Sequence, residues 1–278
     1  MTPIFYHPLQ QVAHSFISVQ KIPEFVRQAD REPVEFLPYR IEDFETAHGP
    51  AFVKGVLSGT VKNGFGTMDP EINQALHYSN ASMGAAAQYV LDHGGVACSA
   101  SQGFHHAHYD NCYGYCTFNG LVIAARKALE RVGQVLIIDG DAHHGDGTED
   151  CLQRLNLQNR VINVSRRSLE KIGRPEHSHF SATQWEQFTD SLIRRYSPGL
   201  LIYQAGADAW DRDPYDAGYL SFEALGARDR GIFASANANK IPVVWNLAGG
   251  YADPMQKTID IHLQTLASSD NCFFEVKK

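Results

Sequence analysis

The sequence lacks the features that mark secreted, membrane-spanning and nucleic-acid-binding proteins. Its 278 residues include only five cysteines, an odd and scattered set that suits a reducing compartment better than a disulfide framework. No stretch approaches about 18 uninterrupted apolar residues, and no basic start precedes an apolar run at the amino terminus. The chain has 24 basic and 31 acidic residues, so it lacks the excess of positive charge that binding to nucleic-acid phosphates or anionic lipids requires. We therefore expect a cytoplasmic protein with no nucleic acid and no membrane as partner.

From about residue 80 onward, short apolar runs alternate with longer helical patterns. This alternation is typical of βαβ units, and it predicts an α/β fold with a mostly parallel sheet flanked by helices on both faces. The predicted strands are 96–99, 135–138, 161–164, 200–204 and 243–247. The predicted helices are 82–93, 118–132, 183–196, 222–237 and 254–267. Loops and short helices are expected before residue 70, and no repeat or linker divides the chain, so we expect a single domain over residues 1–278.

Polar residues follow four of these strands at the point where each strand ends. Open parallel sheets bind ligands beyond the carboxyl ends of their strands, so these side chains should converge on one rim. His105 and His106 follow the first strand, and the polar run 139–147 follows the second. Asp208 follows the fourth strand, and Tyr251 follows the fifth in a Gly-Gly turn. Each residue alone is most often part of a polar loop or turn, but their joint placement indicates a site.

A metal ion is the simplest reason to gather aspartates and histidines at this rim, because burying uncompensated carboxylates is costly. Asp141 and His143 lie two residues apart, so in an extended segment both side chains point the same way. Asp208 can supply a third ligand and leave an open position for water and substrate, as in catalytic zinc sites. We expect Zn²⁺, and Fe²⁺, Co²⁺ and Mn²⁺ remain alternatives because the ligand set is mixed.

A water activated by a metal also needs a base to take its proton and an acid to protonate the leaving group. His105 and His106 suit both tasks if a carboxylate stands behind each ring, and Asp139 and Asp146 are the available carboxylates. The phenol of Tyr251 can donate its proton to an oxyanion. Together these residues predict metal-assisted hydrolysis of an amide.

These segments resemble the histone deacetylase family, which includes the acetylpolyamine amidohydrolases and has the arginase-like α/β fold. The pair His105-His106 looks like the family's tandem histidines. Residues 114–119 look like its glycine-aromatic-cysteine loop, and residues 139–147 look like its metal-binding stretch. Asp208 and Tyr251 match the two remaining signatures, so the resemblance covers about residues 95–255.

The resemblance implies a role for each matching position in a deacetylase-like catalytic domain. His106 would be the main general base and acid, and the catalytic residues as a set would be His105, His106, Asp139, Asp146 and Tyr251. The metal ligands would be Asp141, His143 and Asp208. Substrate would contact the Gly114 carbonyl, the Tyr115 ring as a tunnel wall, and Cys116 near the acyl pocket. A monovalent cation, usually potassium, would be bound by Asp139, Ser165 and the backbone carbonyls of Asp141, His143 and Arg166.

The chain departs from the family in the segment between Ser165 and Asp208, which is shorter than usual. Residues 166–171 stand where a second aromatic tunnel wall would normally arrive, so we expect a one-sided tunnel. Completion of the site by a neighbouring subunit of a homo-oligomer remains open. The basic residues of 166–174 are expected to form a solvated face, with attraction of an anionic acyl chain as the alternative. Asp69, beside Pro70, is expected to be a turn carboxylate rather than a substrate contact.

We therefore predict a zinc-dependent deacylase that removes an acetyl or other acyl group from an acetyl-lysine side chain or a small acylated amine. An acetylpolyamine amidohydrolase shares the same residues at the metal, so it remains an alternative. A catalytically silent, deacetylase-like binding module is the alternative from another class, because the tunnel segment is short. An arginase-like ureohydrolase is a third possibility through the shared fold.

Overall fold

The structure, a computed structural model, describes residues 1–12, 15–166, 180–215 and 218–274. Its strands are β1 (Ile4–Phe5), β2 (Val96–Ser99), β3 (Val135–Asp139), β4 (Val161–Val164), β5 (Leu200–Gln204) and β6 (Val243–Asn246). They form one six-stranded sheet in the order β1-β2-β6-β5-β3-β4, and every pairing between these strands is parallel. The predicted α/β class with a parallel sheet is confirmed.

Helices cover both faces of this sheet. They are α1 (Ile17–Ala29), α2 (Ile41–Glu45), α3 (Pro50–Leu57), α4 (Pro70–His93), α5 (Gly120–Ala128), α6 (Asp146–Arg154), α7 (Ala182–Tyr196), α8 (Phe222–Ala238) and α9 (Gln256–Phe273). Among the described helices, none has both the length and the apolar composition that crossing a bilayer requires.

The core forms two layers because successive side chains of each buried strand point to opposite faces of the sheet. Val135 and Ile137 of β3 pack with α3, α4 and α5 on one face. Leu136 and Ile138 pack with α1, α7 and α8 on the other. A strand covered on both sides is apolar along most of its length, which is why residues 135–138 of β3 form an uninterrupted apolar run before Asp139.

Helix α4 begins at Pro70, so the prediction of a start at residue 82 was wrong. Its start has ordinary helix signals, since Asp69 accepts a hydrogen bond from Glu71 N at 2.9 Å and Pro70 occupies the first turn. The first half of the helix buries the polar residues Asn73 and Asn80, which interrupt its apolar periodicity. Asp69 is thus a helix cap, in keeping with its reading as a turn carboxylate.

The amino-terminal region contains more regular structure than predicted. Strand β1 pairs with β2 at the sheet edge, and α1 is a 13-residue helix with Pro23 inside it. Proline within a helix removes a backbone donor and usually marks a helix end, so the sequence around Pro23 did not predict this helix. Helix α5 is shorter than predicted, and α9 continues to Phe273 instead of ending at residue 267.

The sheet places a crevice between β3 and β5. The chain leaves β3 toward β4 on one side, whereas it leaves β5 toward β6 on the other. Such a reversal opens a gap at the carboxyl ends of the two adjacent strands, where open α/β sheets bind ligands. The loops that follow β3 and β5 carry Asp141, His143 and Asp208, so the fold brings these residues to the same crevice.

Candidate active site

Asp141, His143 and Asp208 form one cluster in this crevice. Each offers a possible ligand atom, and these atoms all lie within 4.8 Å of one another. His143 Nδ1 is 3.1 Å from Asp141 Oδ1 and 3.1 Å from Asp208 Oδ2. The two carboxylates are 3% and 1% exposed and the His143 side chain is 40% exposed, so the cluster opens to solvent on the His143 side.

The electrostatics of this cluster fit a divalent cation. Burial and the neighbouring Asp141 raise the pKa of Asp208 to about 7. Burial also acts to raise the pKa of Asp141, but the positive charge of His105 and the hydrogen bonds with His143 and Asp208 outweigh it and lower that pKa. Two buried carboxylates this close repel each other when both are ionised, and a cation between them would remove that cost. Two carboxylates and one imidazole form a ligand set that Zn²⁺ and other first-row divalent metals accept.

The loop after β6 closes the opposite side of the cluster. Gly249 N donates to Asp141 Oδ2 at 3.3 Å, and a Cβ at Gly249 would lie only 2.6 Å from Asp208 Cγ, so a larger residue would displace the carboxylate. The buried Lys21 holds this loop by donating to Ala248 O at 2.7 Å and Gly249 O at 2.9 Å. Burial lowers the pKa of Lys21 to about 8, and the nearby carboxylates limit the fall.

Each of the tandem histidines has a carboxylate at Nδ1. His105 Nδ1 is 2.7 Å from Asp139 Oδ2, and His106 Nδ1 is 2.7 Å from Asp146 Oδ1. Burial lowers the pKa of His105, but Asp139 and Asp141 outweigh it and raise that pKa to about 9. Burial and the adjacent His105 instead lower the pKa of His106. This difference suits His106 to accept a proton through Nε2 and His105 to hold positive charge.

Tyr251 lies on the same loop as Gly249, at the edge of the cluster. Its backbone N donates to Asp213 Oδ2 at 2.8 Å. Burial, together with the negative charges of Asp208 and Asp141, raises the pKa of the Tyr251 phenol far above its usual value. The phenol therefore stays protonated and is available as a hydrogen-bond donor.

A cavity of about 230 Å³ connects these groups. Its lining includes the predicted substrate-contacting residues Gly114, Tyr115 and Cys116, together with His105, His106, Asp141, His143 and Tyr251. Gly114 has a positive φ of 57°, and a Cβ there would lie 2.8 Å from His106 Cδ2, so glycine is required for this close approach. The structure thus brings predicted site residues from the ends of β2, β3 and β6 to one cavity, and Asp208, after β5, lies behind its wall at 3.1 Å from His143 Nδ1.

Sequence reasoning missed several aromatic residues around the cavity. The Phe16 ring stacks on Tyr115 with ring centroids 3.9 Å apart, and Tyr215 meets Tyr251 edge-on at 4.7 Å. Tyr215 follows Asp208 on the same loop, and this short separation in sequence could have predicted that Tyr215 lies at the site. Phe16 comes from the amino-terminal region, where no motif indicates a role.

Residues 167–179, which include most of the segment predicted to leave the tunnel one-sided, lie outside the described residues.

The residues predicted to bind a monovalent cation lie around the loop after β3. Asp139 Oδ1 accepts hydrogen bonds from Asp141 N at 3.1 Å and Gln204 Nε2 at 3.2 Å. Ser165 Oγ lies 2.7 Å from His144 Nδ1. The Arg166 side chain donates from Nη1 to Ala142 O at 2.6 Å. These contacts fix the shape of the loop, and the cation itself stays a prediction.

A buried arginine joins the two loops that carry Asp141 and Asp208. Arg228, on α8, is 1% exposed and donates from Nη1 to Gly140 O at 2.7 Å and to Gly206 O at 3.2 Å. Its Nε donates to Asp229 Oδ1 at 2.9 Å, and Asp229 also accepts from the Tyr203 hydroxyl. One guanidinium therefore sets the spacing between the loop that precedes Asp141 and the loop that precedes Asp208.

We expect Arg228→Lys to weaken divalent-metal binding by about tenfold, in the range seen when an outer partner of a metal site is lost. An ammonium keeps the charge but lacks the planar fork that spans two carbonyl oxygens and Asp229. Chelator competition would measure the metal Kd. Arg230→Lys, at an exposed position of the same helix, is the matched control. An unchanged metal Kd in a folded Arg228→Lys protein would contradict the inference that Arg228 sets the spacing of the two loops.

The chain is similar in sequence to known deacetylases. A family model described as the histone deacetylase domain matches residues 9–171 and 178–266. Histone deacetylase 2 of Arabidopsis thaliana is 28% identical over 188 residues, which cover 62% of this chain and 49% of that protein. Histone deacetylase 2 of Oryza sativa is 30% identical over 162 residues, or 49% of this chain and 31% of that protein. The chain thus spans about half or less of the length of these two relatives.

The chain is also similar in fold to a solved structure. An acetylpolyamine aminohydrolase from Burkholderia pseudomallei superposes with a TM-score of 0.76, and the match covers 98% of this chain and 99% of that one. The two sequences are 18% identical over the match, so this similarity concerns the fold alone.

Proposed function

The chain belongs to the histone deacetylase family, and on that premise we propose that it is a metal-dependent amidohydrolase that removes an acetyl or other acyl group from an acylated amine. One observation carries the proposal. The Asp-His-Asp cluster, two His–Asp pairs and the half-buried Tyr251 all lie in or beside the same crevice and its cavity. This combination would supply metal ligands, a base, an acid and an oxyanion donor within reach of one substrate.

The metal ligands in this proposal are Asp141, His143 and Asp208, with Zn²⁺ as the resident ion and Fe²⁺ as the first alternative. When bound, such an ion would supply Lewis-acid activation of a water molecule and of the acyl carbonyl. Three protein ligands leave room for both. Potassium at Asp139, Ser165 and the neighbouring carbonyls is the proposed structural ion.

The proton transfers are assigned to the tandem histidines. Asp146 holds the Nδ1 side of His106, so Nε2 takes the proton of the attacking water and later delivers it to the departing amine nitrogen. His105, held by Asp139, stays positively charged and stabilises the negative charge that develops beside it. The Tyr251 phenol donates a hydrogen bond to the acyl oxygen as that oxygen becomes negative.

The substrate is proposed to be an acylated lysine side chain or a small acylated amine. The carbonyl of Gly114 accepts the amide N–H, the Tyr115 ring packs against the alkyl chain, and Cys116 borders the acyl group. These three residues line the cavity beside His106. Aliphatic chains suit such a site, because aromatic and glycine surfaces offer contact area without requiring many polar partners.

A comparison of substrates tests this proposal. Purified protein is given acetyl-lysine peptides, acetylputrescine, acetylspermidine, arginine and agmatine, and the release of acetate or urea is measured. Acetate release from at least one acylated amine is expected, and its distribution assigns the protein to the peptide or the polyamine class. Urea release would indicate a ureohydrolase instead. Stoichiometric metal without any turnover would favour a silent binding module.

A further inference from the structure

Tyr113 contacts the proposed catalytic base without belonging to any motif that the sequence revealed. Its hydroxyl donates a hydrogen bond to Asp146 Oδ2. Its ring stacks on His106 with centroids 4.9 Å apart and an interplanar angle of 27°. Tyr113 also lines the same cavity as His106 and Gly114. The residue therefore touches both members of the His106–Asp146 pair from the substrate side.

The surroundings of Asp146 explain why a second partner matters. Asp146 Oδ1 accepts from His106 Nδ1 at 2.7 Å and from Gly147 N at 2.9 Å. Asp146 Oδ2 accepts from the Tyr113 hydroxyl and lies 3.5 Å from His108 Nε2. The Asp146 side chain is 34% exposed, unlike Asp139 behind His105, which is fully buried. Water thus has access to Asp146, and a fixed donor on Oδ2 limits rotation of the carboxylate away from the histidine.

We propose that Tyr113 is a positioning residue for His106, an inference that rests on the proposed function. The hydroxyl fixes Asp146 in the orientation that accepts from Nδ1–H, and this keeps Nε2 as the nitrogen that handles the reacting proton. The ring covers one face of the His106 imidazole and limits its reorientation. Gly114, the next residue, packs against the same imidazole. The turn that contacts the substrate therefore also holds the base.

Two substitutions separate the hydroxyl from the ring. Tyr113→Phe keeps the stacked ring and removes the hydrogen bond, so kcat is expected to fall about tenfold with little change in KM. This decrease is smaller than the one expected from loss of the general base itself. Tyr113→Leu removes both contacts and is expected to lower kcat further. Tyr109→Phe, on the same loop and without contact to His106 among the described side-chain interactions, is the matched control and should keep the wild-type kcat.

A double-mutant cycle shows whether Tyr113 acts through Asp146. In the Asp146→Asn background, Tyr113→Phe is expected to change kcat by less than about twofold, because residues in one hydrogen-bond network are not additive. Equal effects of Tyr113→Phe in both backgrounds would overturn the proposal, since a merely structural role predicts additivity.

A spectroscopic readout keeps this test separate from the proposed function. Proton NMR of ¹⁵N-histidine-labelled protein follows the exchange of the His106 Nδ1–H, assigned by its loss in His106→Gln. Faster exchange in Tyr113→Phe supports the positioning role even if no substrate is turned over. Unchanged exchange together with an unchanged kcat would contradict it, whereas lack of turnover by the wild-type protein would contradict only the proposed function.

Discussion

Asp141→Ala is expected to abolish both metal binding and hydrolysis. Asp141 supplies one of three candidate ligand atoms, and its carboxylate also faces His143 and the loop at Gly249. Two remaining ligands hold a divalent ion poorly, so metal content should fall from about one ion per chain to background after dialysis. Elemental analysis of the dialysed protein and an acetate-release assay measure the two effects together.

A surface aspartate provides the control for this substitution. Asp92→Ala removes an exposed carboxylate near the end of α4 that pairs with Arg131 and does not line the cavity, so it should leave both the metal content and the rate unchanged. Circular dichroism would confirm that each variant is folded. Retention of one tightly bound ion by folded Asp141→Ala would show that the metal lies elsewhere.

Tyr251→Phe is expected to lower kcat by about a hundredfold or more while the metal stays bound, the size of effect seen when an oxyanion donor is removed. Phenylalanine keeps the ring that packs against Phe16 and Tyr215, so only the hydroxyl is lost. That hydroxyl is a dependable donor because burial and the nearby carboxylates keep it protonated. Steady-state kinetics with parallel metal analysis measure the change.

Tyr89→Phe, on α4 and outside the cavity, is the matched control for loss of a tyrosine hydroxyl. It should keep the wild-type kcat and KM. A Tyr251→Phe enzyme with a wild-type-like rate would mean that another group donates to the acyl oxygen. A folded variant that lost its metal would instead assign Tyr251 a role in holding the site together.

The central sheet and the cluster of Asp141, His143 and Asp208 could be predicted from the sequence for related physical reasons. A strand buried on both faces is apolar along most of its length, so β3 and β5 stood out at nearly their true bounds. A polar residue directly after such a strand lies at the carboxyl rim of the sheet. Asp141, His143 and Asp208 could therefore be placed together before any coordinates were known.

The supporting residues could not be read in the same way. Arg228 and Lys21 lie inside helices, and a charged residue in a helix is ordinarily solvent-exposed. Their burial depends on which loops pass over those helices, and a local pattern does not encode that. The start of α4 was missed for a similar reason. Asn73 can be buried because its side chain donates a hydrogen bond to Val56 O of α3. A polar residue at a buried position breaks the apolar periodicity from which a helix is predicted. The sequence gives no sign of a role for Tyr113, because its partner Asp146 lies 33 residues further along the chain and only the fold brings the two together.

Metal depletion and restoration tests the central claim most directly. Purified protein is stripped with a chelator, assayed with a fluorogenic acetyl-lysine substrate, and assayed again after addition of one equivalent of Zn²⁺. Loss of hydrolysis on stripping and its return with Zn²⁺ is the result expected of a metal-dependent deacylase. Hydrolysis that persists undiminished in protein shown to be free of metal would contradict the account.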